Sequence, residues 1–211
     1  MFLQLNFAII MERFNRIIEG ALGLFMQNGV KTVNMDDVSS HMGISKKTLY
    51  QYVSNKTDLV EKCFSLHQST ILEMINSIQE KNRNAIDELF DIDEQVCLML
   101  KNRPPMLIHN VQKYYPSVWK ILDEIKKKHI FSCVTQNIGH GKAQGVYRVD
   151  VNADIIAKLM MNTVDALVDD ELFPLTEYNF KSLLKENRTY HIRGIATQKG
   201  IDYLEQKLKD D

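Results

Sequence analysis

The sequence predicts an all-α protein, and three observations lead to that fold class. It has only 4 Pro and 9 Gly among 211 residues. Alternating runs of β-branched residues are scarce. Apolar residues recur along most of the chain with the 3.6-residue spacing of amphipathic helices.

Composition restricts where a charged partner could bind. The chain carries 26 Lys and Arg against 27 Asp and Glu, so its net charge is −1 and any basic site must be local. Its 3 Cys form no CxxC pair, which favours a reducing compartment and predicts a cytoplasmic location. No apolar run reaches the roughly 18–20 residues of a membrane span, so we expect no membrane association.

The first helix is expected to bury one apolar stripe. Its members lie at helical spacing and are Phe14, Ile17, Ile18, Ala21, Leu22 and Phe25. Gly29 is suited to end this helix as a C-cap. Residues 1–10 are apolar but lack the basic start of a signal peptide, so we interpret them as an N-terminal extension or as a non-native or misassigned start ahead of Met11.

Two short helices follow, separated by a tight turn. The first is predicted from Met35 to Met42, with Asn34 as N-cap and Asp37 three residues on, as in a capping box. Gly43 ends it, and Ser45 can cap the next helix, which places Leu49 and Val53 on its buried side.

The rest of the chain predicts further helices joined by short connections. A long helix begins near Lys56, another follows residue 84, and Pro116 opens a third after a short segment that follows "RPP" at 103–105. We expect "GHGKAQG" at 139–145 to be a loop, and Asn152 to cap the next helix. A last long segment begins near Glu177.

The pair of short helices, preceded by a packing helix, is the arrangement of a helix-turn-helix, whose second helix enters the major groove of DNA. Lys46, Lys47, Tyr50 and Gln51 share the side opposite Leu49 and Val53. Lys56 is placed like a phosphate clamp, and no acid lies between Ser45 and Lys56. The alternative is a solvated basic helix face, but caps, turn and apolar stripe together favour a DNA-reading helix.

Residues 11–62 resemble the N-terminal domain of the TetR/AcrR (tetracycline-repressor-like) transcriptional regulators. The resemblance lies in "IIEGALGLFMQNGV", "TVNMDDV" and "GISKKTLYQYVSNKTDLV". It departs from the family where Val53 replaces the commoner Phe and Ser39 the commoner Ala. Asp36 stands where some members carry a basic groove contact, so that contact is not carried over.

The resemblance implies a homodimeric regulator, most simply a repressor that binds a palindromic operator and is released by a small-molecule inducer. The three-helix DNA-binding domain would span residues 11–56, and an antiparallel helical ligand-binding and dimerisation domain residues 57–211. The implied DNA-binding residues are Asn34, Ser45, Lys46, Lys47, Thr48, Tyr50, Tyr52 and Lys56.

Two further sites are expected beyond residue 57. A segment between prolines concentrates apolar and polar groups suited to a small-molecule pocket, namely Met106, His109, Gln112, Tyr115 and Trp119. The alternative is that these side chains form core. Two later stripes could pair across a dimer axis as a helical bundle, and comprise Ile155, Leu159, Met160, Thr163, Leu167, Phe180, Leu183, Leu184 and Asn187.

No catalytic, cofactor or metal motif accompanies these features. The glycines of "GHGKAQG" do not match GxGxxG, and His129 and Cys133, at i and i+4, lack an evident third metal ligand. We therefore predict a protein that is not an enzyme and has no cofactor. The alternatives left open are a helical enzyme and a protein-interaction adaptor, each carrying a helix-turn-helix.

Overall fold

The computed structural model describes residues 2–81, 83–100 and 103–210, and within them the side chains from Ile10 to Lys209. These residues form ten α helices, and their only β pairing is an isolated bridge between Tyr147 and Ala196. The helices are α1 Phe2–Asn28, α2 Met35–His41, α3 Lys46–Leu49, α4 Lys56–Gln79, α5 Ala85–Leu100, α6 Leu107–Tyr114, α7 Pro116–Ala143, α8 Ala153–Leu167, α9 Phe180–Ile195 and α10 Gln198–Asp210. The all-α prediction is confirmed.

The chain divides into two compact units. The first comprises Met1–Thr70 and Asn102–Asp123, and the second Ile71–Lys101 and Glu124–Asp211. This division differs from the expected boundary at residue 56, because α6 and the first turns of α4 and α7 pack with the N-terminal helices. Within the described part, residues 2–10 continue α1 as helix.

The first unit is built around one apolar core. Ile17, Ile18, Ala21 and Phe25 of α1 are buried, as the stripe predicted, while Phe14 and Leu22 are only partly buried. The other buried members come from the later helices and the connections between them, and are Val30, Val33, Val38, Leu49, Val53, Leu59, Val60, Cys63, Phe64, Leu107, Val111, Val118 and Leu122. Gly29 follows α1 with φ +82, which confirms the predicted C-cap.

The second unit has two apolar clusters. The larger joins α5, α7, α9 and α10 through residues such as Ile86, Ile138, Tyr147, Ile192 and Leu204. In the smaller, Leu167, Phe180 and Leu184 are packed by Val96, Cys97 and Leu100 of α5.

One predicted loop is helix instead. Helix α7 runs to Ala143 and so includes Gly139 and Gly141, and the turn comes only at Gly145, with φ +71. The reason is packing: a Cβ on Gly141 would lie 2.0 Å from the Tyr147 ring, which is fully buried. Gly141 therefore makes room for the Tyr147 ring and does not end the helix. The cap at Asn152 is confirmed, since its side chain accepts from the Ile155 N–H at 3.2 Å.

Candidate nucleic-acid interface

Helix α2 is fixed at its start by a complete capping box. Asn34 Oδ1 accepts from the N–H groups of Asp36 at 2.8 Å and Asp37 at 3.0 Å. The Asp37 carboxylate accepts in return from the Asn34 N–H at 2.8 Å. These bonds satisfy backbone donors that a helix start otherwise leaves unpaired, so the orientation of the first residues of α2 is set locally.

The turn between α2 and α3 is a Schellman motif. Gly43 has φ +64 and donates to Ser40 O at 3.1 Å, and Ile44 donates to Ser39 O at 3.0 Å. Only a glycine adopts this left-handed conformation without strain. The turn brings Ser45 to the start of α3, where Ser45 Oγ accepts from the Thr48 N–H at 3.0 Å.

Helix α3 is a single turn with one buried and one exposed side. Leu49 is fully buried, and Val53, just past the helix, is buried beside it in the core of the first unit. Lys46, Lys47, Tyr50 and Gln51 are exposed. The predicted division of this segment into a core side and a solvent side is confirmed.

The other predicted DNA-binding residues surround this exposed side to different degrees. Asn34 and Ser45 are exposed, but each already uses its side chain in a cap. Thr48, Tyr52 and Lys56 are partly exposed, and Tyr52 also packs against the core. Each of the three thus keeps part of its surface for a partner.

The lysines of this region differ in their charge partners. Lys46 Nζ lies 2.5 Å from Asp36 Oδ1. Burial lowers the pKa of Lys56 and the nearby Asp37 carboxylate opposes that effect. Lys47 has no carboxylate partner among the described residues. The Lys46–Asp36 pair could not be predicted from the sequence, because it depends on how the turn brings α2 and α3 together.

The five predicted ligand-binding residues lie on α6 and the start of α7, or next to them, in the first unit. Helix α6 buries Leu107 and Val111 in the core there, and Tyr115 and Trp119 pack partly against it. Gln112 is exposed, and Met106 precedes α6 with φ +61. A cleft of about 400 Å³ lies instead in the second unit, lined mainly by polar side chains such as Lys81, Arg83 and Asp91.

The predicted dimer residues separate into exposed and buried groups. Ile155 and Leu159 of α8 are 54% and 58% exposed. Met160, Thr163, Leu183 and Asn187 are partly exposed. Leu167, Phe180 and Leu184 are buried within the second unit and pack with side chains of α5, so they contribute to the protomer's own core.

The His129–Cys133 pair forms a hydrogen bond within the protein. Cys133 Sγ lies 3.2 Å from His129 Nε2 and 3.5 Å from Gln79 Oε1. Burial, with a smaller contribution from Glu88, raises the pKa of the Cys133 thiol to about 11, so the thiolate needed to bind a metal or attack a substrate is disfavoured. Among the described residues no group of three or more His, Cys, Asp or Glu is placed to hold a metal ion.

Sequence reasoning missed a buried polar group beside this pair. Glu88 and Asn137 are each 2% exposed, and Asn137 Nδ2 donates to Glu88 Oε1 at 3.0 Å. Gln79 Nε2 donates to the same oxygen at 3.2 Å. Polar residues on otherwise apolar helix faces are the only signal in the sequence that could have indicated this network.

The first unit thus defines a class of protein: a helix-turn-helix DNA-binding protein, here attached to a larger helical unit. Comparison with known proteins shows what this helix-turn-helix is similar to. Residues 17–63 match the sequence profile described as "Bacterial regulatory proteins, tetR family". Residues 17–63 are therefore similar to the DNA-binding part of tetR-family regulatory proteins.

Two relatives extend this similarity beyond the first helices. The chain is 26% identical over 168 residues to the uncharacterised HTH-type transcriptional regulator YvaF of Bacillus subtilis, covering 76% of this chain and 83% of that protein. It is 27% identical over 124 residues to the biofilm operon icaADBC negative transcriptional regulator IcaR of Staphylococcus epidermidis, covering 54% of this chain and 67% of that one.

Solved structures share the fold over most of the chain. A putative transcriptional regulator from Saccharomonospora viridis in complex with choline has a TM-score of 0.72 at 17% identity, covering 89% of this chain and all (100%) of that one. A TetR-family regulator from Agrobacterium tumefaciens has a TM-score of 0.69 at 16% identity, with 89% and 99% covered. At 16–17% sequence identity, the similarity to these two structures shows a shared fold.

Proposed function

We propose that this chain represses transcription by binding a palindromic operator as a homodimer, and that a small molecule releases it. The observation that carries the DNA-binding part is the exposed side of α3. There Lys47 stands without an acidic partner among the described residues, beside the exposed ring of Tyr50. Such a lysine can bind a phosphate or a guanine acceptor without first breaking an ion pair within the protein.

The dimer follows from the size of this surface. Helix α3 is one turn long, so a single copy contacts few base pairs and would bind weakly. Two copies related by a two-fold axis would bind two half-sites, which is why the operator is expected to be palindromic. Ile155 and Leu159 are the most exposed of the predicted interface residues and supply an apolar surface for the second copy.

Repression and ligand response are supported by relatives. The relative from S. epidermidis is named as a negative regulator, and the structure from S. viridis is a complex with choline. In this chain the ligand-binding residues would be Met106, His109, Gln112, Tyr115 and Trp119. A regulator of this kind acts in the cytoplasm. Among the described helices, none combines the length and hydrophobicity that crossing a membrane requires.

The test is binding to a labelled duplex from upstream of the chain's own gene, measured by fluorescence anisotropy at several salt concentrations. A random duplex of equal length serves as competitor. Specific binding should weaken at least tenfold in Lys47→Ala, whereas Lys120→Ala should bind like the unaltered protein, because Lys120 is exposed on α7 outside the helix pair. Equal affinity for both duplexes would contradict the proposal and favour an adaptor or an enzyme.

A further inference from the structure

We propose that Asp36 and Lys46 read one G·C base pair in each half-site as a unit, the ammonium group binding guanine and the carboxylate binding the paired cytosine. This rests on the DNA-binding role proposed above and adds a specificity determinant to it. Asp36 is an unexpected residue there, because a carboxylate near DNA is repelled by the phosphates.

The pair is exposed, so its contribution to stability is small. Lys46 Nζ and Asp36 Oδ1 are 2.5 Å apart, and the two side chains are 53% and 64% exposed. Exposed ion pairs contribute little to the stability of a fold, because water screens both charges. Both groups are therefore accessible to a partner, and a change in DNA binding on removing the carboxylate would not be a consequence of unfolding.

The backbones that carry the pair are held in place. The Asp36 N–H donates to Asn34 Oδ1 at 2.8 Å, within the capping box of α2. Lys46 opens α3 directly after the Ser45 cap, and the hydrogen-bonded turn at Gly43 joins the two helices. The donor and the acceptor are thus presented side by side from fixed positions, which lowers the entropy lost on binding.

A donor next to an acceptor matches the edge of a G·C pair in the major groove. Guanine offers the acceptors N7 and O6, and the amino donor N4 of cytosine lies beside them at the end of the row. In an A·T pair the amino donor of adenine lies between two acceptors. A carboxylate that reached this donor would face an acceptor on each side, so the A·T pair is rejected.

The same carboxylate reduces binding to other sequences. While paired with Asp36, Lys46 adds no net charge to the surface, so Lys47 and Lys56 remain to attract phosphates. Where no G·C pair is present, the Asp36 carboxylate gains no donor from the bases, and the nearby phosphates repel it. Specificity of this kind comes from a repulsive element as well as an attractive one.

The experiment compares the base preferences of the unaltered protein and of Asp36→Asn, each selected from a duplex library randomised around the operator. The unaltered protein should require G·C at one position per half-site, with a loss of about tenfold on change to A·T. In Asp36→Asn this preference should disappear, and affinity for random DNA should rise. The slope of log affinity against log salt should steepen by about 0.9 per protomer, because Lys46 then neutralises a phosphate.

Two further variants separate the alternatives. Glu12→Gln removes the same charge from an exposed residue of α1 and should leave base preference unchanged. Lys46→Met should lose preference at the same position as Asp36→Asn, and the double variant should lose no more than either alone. If Asp36→Asn keeps the base preference of the unaltered protein, Asp36 and Lys46 do not read a G·C pair together. The proposal that the protein binds an operator would still stand in that case. Absence of sequence-specific binding by the unaltered protein would overturn both proposals.

Discussion

The guanidinium carbon of Arg188 lies 3.5 Å from the centroid of the Phe90 ring, which stacks α9 on α5 in the second unit. The same guanidinium group has a nitrogen 3.3 Å from Asp93 Oδ2. Arg188 is only 7% exposed, so the side chain combines a cation–π contact with a largely buried ion pair.

Replacing Arg188 by Met should therefore destabilise the protein strongly. Met keeps an apolar contact with Phe90 but leaves the Asp93 carboxylate without this cation, which costs about 3 kcal/mol in the free energy of unfolding. Arg193→Met is the matched control, because Arg193 pairs with Glu205 at 2.6 Å on the exposed surface and should cost less than about 1 kcal/mol. Urea denaturation measures both, and equal losses would contradict a special role for Arg188.

The helix ends and caps could be predicted from sequence because their signals are local. Asn34, Ser45 and Asn152 are each followed by the backbone donors that their side chains bind. The course of α7 past Gly139 could not be predicted, since it depends on a ring that packs from six residues beyond Gly141. For the same reason the sequence did not separate buried Leu167 and Leu184 from exposed Leu159: the helix that covers the first two lies far away in the chain.

The two glycines inside α7 should respond oppositely to alanine. A Cβ on Gly139 would meet nothing within 4 Å, so Gly139→Ala should stabilise the helix by up to about 1 kcal/mol. A Cβ on Gly141 would overlap the Tyr147 ring, and Gly141→Ala should destabilise by at least about 2 kcal/mol, because a well-packed core resists added volume. Thermal unfolding followed by circular dichroism measures both. A loss at both positions would argue that 139–145 is loop after all.

Stability should fall in mild acid through His191 of α9. Burial lowers the pKa of His191 to about 4, whereas an unfolded chain holds histidine near 6.5. Between these values the unfolded state binds a proton that the folded state does not, so the free energy of unfolding decreases as pH falls from about 6.5 to about 4. The loss amounts to ~3 kcal/mol at most.

His191→Gln should flatten this part of the pH profile, measured as urea denaturation midpoints from pH 4 to 8. His41→Gln makes the same replacement at an exposed histidine and serves as the control. Burial also lowers the pKa of His67 and His129, and this effect is present in the unaltered protein and in both variants. Subtracting the profile of the unaltered protein from that of a variant therefore leaves the contribution of the replaced histidine alone. Parallel profiles for all three would contradict the assignment.

Asn34 should act on DNA binding through the cap that it provides. Asn34→Ala removes the acceptor for the N–H groups of Asp36 and Asp37 and should cost about 1 kcal/mol of stability. Operator affinity should fall with it, since α2 carries Asp36. Serine is an equally good N-cap, so Asn34→Ser should retain both properties. Normal stability with weakened operator binding in Asn34→Ser would show instead that the Asn34 amide contacts DNA directly.

The last prediction concerns the second copy of the chain. Leu159 is exposed on α8, one turn after Ile155. In a two-fold symmetric dimer, both copies would contribute their Leu159 to the interface. Leu159→Glu would bury two carboxylates without partners, so the dimer should dissociate, as measured by sedimentation velocity. Leu172→Glu alters a residue of similar exposure, 55%, in the connection between α8 and α9, and should remain dimeric. Because one copy reaches only one half-site, Leu159→Glu should also lose most of its operator affinity. A Leu159→Glu dimer that still binds the operator would place the interface elsewhere on the second unit.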